Sequence, residues 1–526
     1  MKLLLHLLAV TVPFLNDPVL GNPFTKRLSN TTNLATVQTQ PFFIPTYAIS
    51  AGGIPTAARG WNSFGLQANP STYKRTGFDF NDYHFAQQCD LMVLRSDFDY
   101  YCSIDSGWSL NGGDQYGRIV PDNANIFTWY KSLAGFADYA HGQGYKVGIY
   151  LLPGAFAGDG GTTIENTTIK IGDVLDTSVT YNLRQAFNWS ADGVQQWHDS
   201  VVSNLGSMGV DMIKLDYLTP GSPNPNEPLP ADTSQSVVKY RQAITNCGVS
   251  MRLDISWGLD RDEPEWDVWK GNADTLRLDT DVNNDGASTF TSFDAVQRVI
   301  EAYRVFITQQ TLDPNRQTTP IAIRPDMDNT FVGNPQSLSG LSDVQRYTMA
   351  IHWIGAGANI ITGSDQTTRD TLGYMLMYDV EAMAIAAFTA TYPMQPRNPT
   401  GSPTVGGSDA LQLQAWIAGP SPDGTAVVVL ANYGSDSYLS KRESGCIALG
   451  TCPGEISQQL VTIPLTALGI GAGMENGADA WDVRRVWGGG GSGGPDHTDI
   501  GNWTHTAYCN LGPGESVLYR FTKVGS

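Results

Sequence analysis

Aspartates follow several short apolar segments of this 526-residue chain, each close to the point where the segment ends. One such acid by itself is more often a helix cap or a loop residue than a catalytic group. Two carboxyl groups that face each other can cleave a glycosidic bond with retention, because one attacks the anomeric carbon while the other donates and then accepts a proton. The recurring pattern predicts such a pair among Asp105, Asp216, Asp254, Asp279, Asp281 and Asp326.

Asp216 is the candidate nucleophile, since it ends an apolar segment and Lys214 stands two residues earlier, on the same face of the predicted strand. A cation there would favour the ionised carboxylate, although Lys214 could instead contact a sugar hydroxyl. Asp281, which follows Arg277 by four residues, is the candidate acid/base. Spacing alone does not separate Asp281 from Asp279, and Arg277 could instead form an ion pair that ties two strands together.

Aromatic residues stand near the same segment ends. Their faces can stack on pyranose rings while carboxylates bind the hydroxyl groups, so this combination favours a sugar pocket. The aromatic candidates are Trp61, Trp108, Tyr150 and Trp257.

Side chains this far apart in the sequence need a fold that gathers many strand ends. Eight apolar segments alternate with helix-length ones such as 129–140, in which Leu133, Phe136, Ala137 and Ala140 recur at helical spacing. This rhythm predicts an α/β fold of the (β/α)8 TIM-barrel type, whose chemistry gathers at the C-terminal ends of the strands. The predicted strands are Trp61 to Phe64, Tyr100 to Ile104, Tyr145 to Leu151, Asp211 to Leu215, Met251 to Ile255, Thr275 to Leu278, Pro320 to Ile323 and Asn359 to Ile361.

Changes in composition predict four regions. Residues 1–21 carry one positive charge and then a short apolar run, as a signal peptide does, and residues 22–57 have the polar, aperiodic character of an irregular N-terminal arm or propeptide. Residues 58–394 form the predicted catalytic barrel. Residues 395–526 contain β-type runs punctuated by Gly and Pro, and they predict a C-terminal antiparallel β-sandwich.

The net charge is −19, so the surface repels phosphates and nucleic acid is not an expected partner. Beyond the signal peptide no apolar stretch is long enough to anchor the chain in a membrane. The 7 histidines are scattered, and neither a metal nor an organic cofactor is expected. A carbohydrate substrate is the expected partner, and the sequence does not predict the oligomeric state.

Export would also explain the sequons and cysteines. N-glycosylation is predicted at Asn30, Asn166, Asn188 and Asn502, which together with the signal peptide indicates a secreted, extracellular protein. A disulfide is predicted between Cys446 and Cys452, which bracket a short segment. The pattern does not pair the remaining four cysteines, Cys89, Cys102, Cys247 and Cys509.

From about residue 58 to its C-terminus the chain resembles glycoside hydrolase family 27, the family of α-galactosidases and α-N-acetylgalactosaminidases. Each motif is moderately specific, and their shared order makes the likeness strong. The segments that resemble family motifs are Gly60 to Phe64 (GWNSW), Ile104 to Trp108 (IDDCW), Gly117 to Asp122, Gly144 to Tyr150 (GLKxGIY), Gly209 to Asp216 (GVDxxKxD), Arg277 to Asp281, Arg324 to Met327 (DPDM) and Val483 to Trp487 (VRDLW).

The resemblance implies an α-galactosidase that removes terminal α-D-galactosyl residues from oligo- or polysaccharides by double displacement. It assigns the nucleophile to Asp216 and the acid/base to Asp281 rather than to Asp279. The residues then expected to bind substrate are Trp61, Asp105, Ser106, Tyr150, Lys214, Ser256, Trp257, Arg277, Asp326 and Met327.

Two departures from the family pattern bear on the sugar. Ser106 stands where the family has the second of two aspartates that hold galactose hydroxyls. Ser256 stands where α-galactosidases have a glutamate, and a serine at this position resembles the α-N-acetylgalactosaminidases. Leu259, however, could fill the space that those enzymes keep open for the acetyl group. The same mechanism could therefore act on an α-1,6-glucan, a β-L-arabinopyranoside or an α-N-acetylgalactosaminide.

Two other classes of protein remain as alternatives. An inactive carbohydrate-binding protein could keep this fold, although both catalytic acids are present. A solute receptor would need two similar lobes, and the sequence contains no internal repeat.

Overall fold

The computed structural model describes residues 43–69, 76–223, 228–312, 320–397, 413–434, 458–470, 480–487 and 497–524. The predicted signal peptide, the first part of the arm, the sequon at Asn30 and the predicted Cys446–Cys452 disulfide lie outside the described residues.

Eight parallel strands form the barrel, and their sheet order is β12, β11, β10, β9, β5, β2, β1, β13. The segment after β12 runs beside β13, where Thr330 pairs with Thr362 in parallel and closes the ring. The predicted (β/α)8 barrel is therefore confirmed. The barrel strands are β1 (Arg59–Asn62), β2 (Tyr100–Ile104), β5 (Lys146–Leu151), β9 (Val210–Leu215), β10 (Arg252–Ile255), β11 (Thr275–Arg277), β12 (Arg324–Asp326) and β13 (Ile360–Thr362).

Loops after the second and third barrel strands carry small antiparallel sheets, one of two strands and one of three. These strands are β3 (Ser109–Gly113), β4 (Ile119–Pro121), β6 (Ala155–Phe156), β7 (Leu175–Tyr181) and β8 (Arg184–Phe187).

Helices connect the barrel strands. The helix predicted over 129–140 begins later, because the Ser132 side chain accepts a hydrogen bond from the Gly135 amide as an N-cap, and left-handed Gly144 ends it. The helices are α1 (Phe64–Gln67), α2 (Asp82–Cys89), α3 (Leu133–Gln143), α4 (Val194–Ser207), α5 (Gln235–Cys247), α6 (Glu265–Asn272), α7 (Phe293–Leu312), α8 (Gln336–Ser339), α9 (Asp343–Gly355), α10 (Thr371–Tyr378) and α11 (Val380–Thr389).

Two predicted strands are displaced in the structure. The strand predicted at 320–323 lies instead at Arg324–Asp326, because Arg324 pairs with Thr275, whereas Ile321 pairs with Tyr47 of the N-terminal arm. The first strand ends at Asn62 rather than at Phe64, since Phe64 begins α1. Short strands whose residues are all buried lack an alternating pattern, so their ends are hard to read from sequence.

Arginines at the N-terminal end of the barrel bind the arm that crosses it. Arg252 donates to the carbonyl of Thr56 at 2.8 Å, and Arg324 donates to that of Pro55 at 2.5 Å. Ser50 donates to Asp274 at 2.5 Å. The described part of the arm is thus fixed to the barrel end opposite the carboxyl ends of the strands.

Two antiparallel sheets follow the barrel, and a shared apolar core lies between them. The six-stranded sheet has the order β14, β15, β16, β21, β18, β19, and β17 pairs with β20 in the second. The strands are β14 (Gln395–Arg397), β15 (Leu413–Ala418), β16 (Thr425–Asn432), β17 (Gln459–Pro464), β18 (Trp481–Val486), β19 (Thr498–Trp503), β20 (Thr506–Leu511) and β21 (Glu515–Lys523).

One disulfide joins Cys89 at the end of α2 to Cys102 in β2, a pairing that the sequence pattern left open. Cys247 and Cys509 are free thiols. Among the described residues, no helix has the length and apolarity needed to cross a membrane.

Candidate functional site

The predicted acids Asp105, Asp216 and Asp281 follow barrel strands β2, β9 and β11, and Asp326 is the last residue of β12. Parallel strands of a barrel all end at one mouth, so the fold brings these four side chains to the same end. Burial is the largest cause of the raised pKa of Asp216, and the charges of Asp281 and Asp105 add to it. The barrel thus assembles the carboxylate cluster that the sequence predicted.

Lys214 binds Asp105 rather than Asp216 directly. Its Nζ donates to Asp105 Oδ2 at 2.8 Å, and it lies 5.7 Å from the ring centre of Tyr150. Asn62 also donates to Asp105 Oδ2, at 3.3 Å. Asp105 is only 2% exposed, so these contacts hold its carboxyl group in a fixed orientation at the mouth.

Asp216 is a carboxylate with an unpaired oxygen. Its Oδ1 is buried and has no hydrogen-bond partner among the described residues. Burial raises the pKa of Asp216, and the Lys214 cation opposes that shift without cancelling it. An oxygen that no neighbouring group occupies is available to an incoming electrophile.

Asp281 belongs to a triad with Arg277 and Asp328. Arg277 Nη2 donates to Asp281 Oδ1 at 2.6 Å and to Asp328 Oδ2 at 2.5 Å. Arg277 is 2% exposed, whereas the Asp281 side chain is 36% exposed and faces the mouth. Burial and the Asp328 carboxylate raise the pKa of Asp281, and Arg277 opposes them. A raised pKa suits a group that must carry a proton before it transfers it.

The rival acid Asp279 has a different environment. Arg298 of α7 donates to its Oδ2 at 2.5 Å, and the amide of Thr280 donates to its Oδ1 at 2.8 Å. Both carboxylate oxygens are therefore engaged in contacts with the protein.

Aromatic rings flank the carboxylates. Tyr217 and Trp257 follow β9 and β10, and their ring centroids are 4.8 Å apart. Tyr217 has a φ of 54°, a left-handed conformation that is uncommon for a tyrosine. Its pKa is raised to about 12 by burial and by Asp216, Asp281 and Asp105. Burial and the nearby acids likewise raise the pKa of Tyr150.

Trp61 and Met327, both expected to line the pocket, have no exposed surface. Trp61 packs against Phe78 and Phe85, and its indole N–H donates to Ser364 O at 3.1 Å. Trp108 is also buried, and it donates to the carbonyl of Tyr150 at 2.7 Å. All three side chains are buried among other parts of the protein and offer no free face to a sugar.

The two serines of interest occupy different environments. Ser256 is 2% exposed, and Arg277 Nη1 donates to its hydroxyl at 3.4 Å. Ser106 is partly exposed, its amide donates to Asp105 Oδ1 at 2.9 Å, and its carbonyl accepts from Gln67 at 2.9 Å. Asp326 accepts the amide of Asp328 at 2.9 Å.

Asp254 lies inside the barrel, because it is within β10, is 3% exposed and accepts a hydrogen bond at 3.4 Å from Asn359, which precedes β13. The sequence pattern treated it as a residue that follows a strand. Sequence reasoning also missed Tyr217 and Asp328. The signal for Tyr217 was its place directly after the candidate nucleophile, whereas nothing in the sequence connects Asp328 to Arg277, 51 residues earlier.

Within the described residues, no group of three or more His, Cys, Asp or Glu side chains is arranged to hold a metal ion.

Comparisons with known proteins agree with this architecture, although no family model matches the chain. α-Galactosidase 3 of Hypocrea jecorina is 38% identical over 462 residues, which cover 85% of this chain and 69% of the relative. The GH27 β-L-arabinopyranosidase of Geobacillus stearothermophilus has a TM-score of 0.64 at 18% identity, with 90% of this chain and 98% of that chain covered. For α-galactosidase I of Mortierella vinacea the TM-score is 0.58 at 15% identity, with 89% and 97% covered.

Proposed function

The chain belongs to glycoside hydrolase family 27, the α-galactosidase family, and we propose that it removes terminal α-D-galactosyl residues by double displacement. The observation that carries this proposal is the pair of partly desolvated carboxyl groups, Asp216 with an unoccupied oxygen and Asp281 beside a buried arginine. Two acids in such different environments can divide the roles of nucleophile and proton donor.

In the first step an oxygen of Asp216 attacks the anomeric carbon. The bond to the leaving oxygen breaks, and that oxygen takes the proton of Asp281. In the second step a water gives a proton to the Asp281 carboxylate and attacks the anomeric carbon, which releases Asp216. Lys214 and Asp105 form a fixed donor and acceptor beside Asp216, where they can bind sugar hydroxyls. Tyr217 and Trp257 can supply apolar contact to the ring.

The test is hydrolysis of p-nitrophenyl α-D-galactopyranoside by the wild type and by Asp216→Asn and Asp281→Asn. We expect Asp216→Asn to lose about 10³-fold or more in kcat, because no covalent intermediate can form. Asp281→Asn should lose on the order of 10² to 10⁴-fold. NMR of the first-formed product should show the α-anomer, since the configuration is retained.

Asp279→Asn is the matched control, because it removes a carboxylate from the same segment that Arg298 already occupies. It should keep most of the wild-type rate. Wild-type turnover by Asp216→Asn, or a β-anomeric first product, would contradict the mechanism. Binding of glycans without any turnover by the wild type would favour the inactive binding protein instead.

Because Ser106 and Ser256 depart from the family pattern, the preferred sugar is determined by measuring kcat/KM on different glycosides. Galactosides should give the highest kcat/KM in a panel of aryl glycosides that includes an α-N-acetylgalactosaminide, a β-L-arabinopyranoside and an α-glucoside. Leu259 is 2% exposed and lies three residues after Ser256 in the segment that follows β10, and its bulk supports rejection of an N-acetyl group. A higher kcat/KM for another sugar would keep the mechanism and replace the substrate.

We also propose that the protein is secreted and N-glycosylated. Asn166, Asn188 and Asn502 are all exposed, so a glycan at each would meet solvent. Expression in a eukaryotic secretory host should place the protein in the medium, and endoglycosidase treatment should lower its mass. Retention in the cells, or an unchanged mass, would contradict this proposal.

A further inference from the structure

Asp328 is a buried acid whose backbone is fixed from several sides. Its side chain is 7% exposed, and its φ of 70° lies in the left-handed region. Its amide donates to Asp326 Oδ1 at 2.9 Å, and its carbonyl accepts the indole N–H of Trp353 at 2.8 Å. A strained conformation of this kind persists only where the surroundings determine it, and such positions cluster at functional sites.

Each oxygen of the Asp328 carboxylate has a partner. Oδ1 accepts the amide of Asn329 at 2.6 Å. Oδ2 accepts both Arg277 Nη2, at 2.5 Å, and the amide of Val282, at 2.7 Å. Val282 directly follows Asp281 in the chain. Asp328 Oδ2 therefore binds both the arginine that pairs with Asp281 and the backbone next to Asp281.

This arrangement gives Arg277 a second carboxylate counter-ion besides Asp281. Arg277 is 2% exposed, and a buried guanidinium needs a carboxylate counter-ion. If Asp281 were its only counter-ion, protonation of Asp281 would leave a buried cation unpaired at a large free-energy cost. With Asp328 also paired to Arg277, the proton can enter and leave Asp281 without that cost.

We propose that Asp328 is a positioning residue for proton transfer, which neutralises Arg277 and anchors the backbone after Asp281 so that Asp281 can act as both acid and base. The proposal rests on the function proposed above and adds to it the residue that controls the charge and the position of the acid/base, Asp281. Asp328 itself has no contact with the reacting atoms.

The charged groups that face Asp281 come from four directions. Arg277 lies on β11, and Asp328 follows β12. Lys214 lies on β9 with Asp216 just beyond it, and Arg298 of α7 donates to the backbone carbonyl of Asp281 at 2.7 Å. Burial raises the pKa of Asp281 most, Arg277 and Lys214 lower it, and Asp328 raises it. Removal of the Asp328 charge therefore lowers the pKa of Asp281, which then remains, among the described residues, as the carboxylate that is hydrogen-bonded to Arg277 Nη2.

The test is the pH profile of kcat/KM for Asp328→Asn, measured on an α-galactosyl disaccharide, whose poor leaving group needs acid catalysis. The basic limb reports the group that must be protonated, so it should move to lower pH. The measured quantity is kcat/KM at pH 7 divided by kcat/KM at pH 4. In Asp328→Asn this ratio should be about threefold or more lower than in the wild type, since a limb that moves by one pH unit changes kcat/KM on that limb about tenfold. Asp328→Glu, which keeps the charge, should restore part of the profile.

Asp370→Asn is the matched control. Asp370 pairs with the buried Arg346 at 2.5 Å, and Arg346 also contacts a second acid, Asp343, at 3.2 Å. The control should lower the thermal midpoint and leave the pH profile unchanged.

An unchanged basic limb in a folded Asp328→Asn protein would overturn the proposal while the glycosidase assignment stands. Failure of both Asp328 variants to fold would also overturn it, because the residue would then be structural only. An inactive wild type would overturn the proposed function itself, and with it this inference.

Discussion

The carboxyl group of Asp254 lies inside the barrel, where it has little water to stabilise a negative charge. Thr275 donates to its Oδ1 at 2.5 Å, and Asn359 lies 3.4 Å from its Oδ2. Burial, with the charge of Asp326 as the next contribution, raises the pKa of Asp254 from 3.8 to about 7. Lys214 and Arg252 oppose the shift only in part. Asp254 should therefore be neutral in the folded protein under acidic conditions.

The sign of the resulting pH dependence follows from linkage. Between pH 4 and 7 the unfolded chain ionises Asp254 and the folded protein does not, so the stability from this group is full below about pH 4 and is lost as the pH rises to about 7. Asp254→Asn cannot ionise and should not show this loss. The difference between the thermal midpoints of variant and wild type should therefore grow by a few degrees, about 3 °C, in favour of the variant from pH 4 to 7. Parallel midpoints across this range would contradict the assignment.

At the scale of the element, β1 requires a glycine at its second residue. Gly60 has a φ of 145°, and a Cβ atom there would lie 2.0 Å from the carbonyl oxygen of Tyr101 on the neighbouring strand. The same strand carries Trp61 and Asn62, so its close approach to β2 also places Asn62 within 3.3 Å of Asp105. The glycine of the opening motif thus has a packing role that affects the site.

Gly60→Ala should lower the free energy of unfolding by about 2 to 4 kcal/mol, because the strand must move away from β2 or strain its backbone. Urea unfolding measures the change. Gly142→Ala is the control, since Gly142 lies in α3 and a Cβ atom there would meet nothing within 4 Å. Alanine in a helix should raise the stability by about 0.5 to 1 kcal/mol. Equal effects of the two substitutions would be inconsistent with the close contact at Gly60.

At the scale of the whole molecule, the C-terminal sheets pack on the barrel helices through a buried hydrogen-bond chain. Trp416 of β15 donates to the hydroxyl of Tyr433 at 2.9 Å. The same hydroxyl oxygen lies 2.7 Å from Nε2 of His352 on α9. His352 Nδ1 lies 2.7 Å from the carbonyl of Thr348 and must be the donor there, so Nε2 accepts from Tyr433. Burial lowers the pKa of His352 to about 4, which keeps the ring neutral.

Tyr433→Phe should leave the Trp416 N–H and His352 Nε2 buried without a partner, at a cost of about 1 to 3 kcal/mol. Calorimetry should show one transition at a lower midpoint, because a shared interface makes barrel and sheets unfold together. Tyr508→Phe, at a tyrosine that is 53% exposed, should change little. Two separate transitions in the wild type would argue against the coupling.

Local patterns in the sequence determined much of this protein. The alternation of apolar segments with helix-length ones predicted the barrel, because each strand and helix must bury its own apolar face. Acids that follow strands predicted the carboxylate cluster at the mouth, since parallel strands end together. The strand limits at 320–323 and after Asn62 were wrong, because pairing with distant partners, such as Tyr47 with Ile321, decides where a short buried strand lies.

Only the tertiary structure decided how the charges are shared. Lys214 binds Asp105, Asp254 lies in the interior, and Asp328 takes part in the triad with Arg277 and Asp281. Each outcome depends on distances between residues from different strands and on the water that the fold excludes. A sequence specifies residue types and their spacing along one strand, whereas the charge of a carboxyl group depends on its desolvation and on neighbours that only the closed barrel brings within a few ångströms.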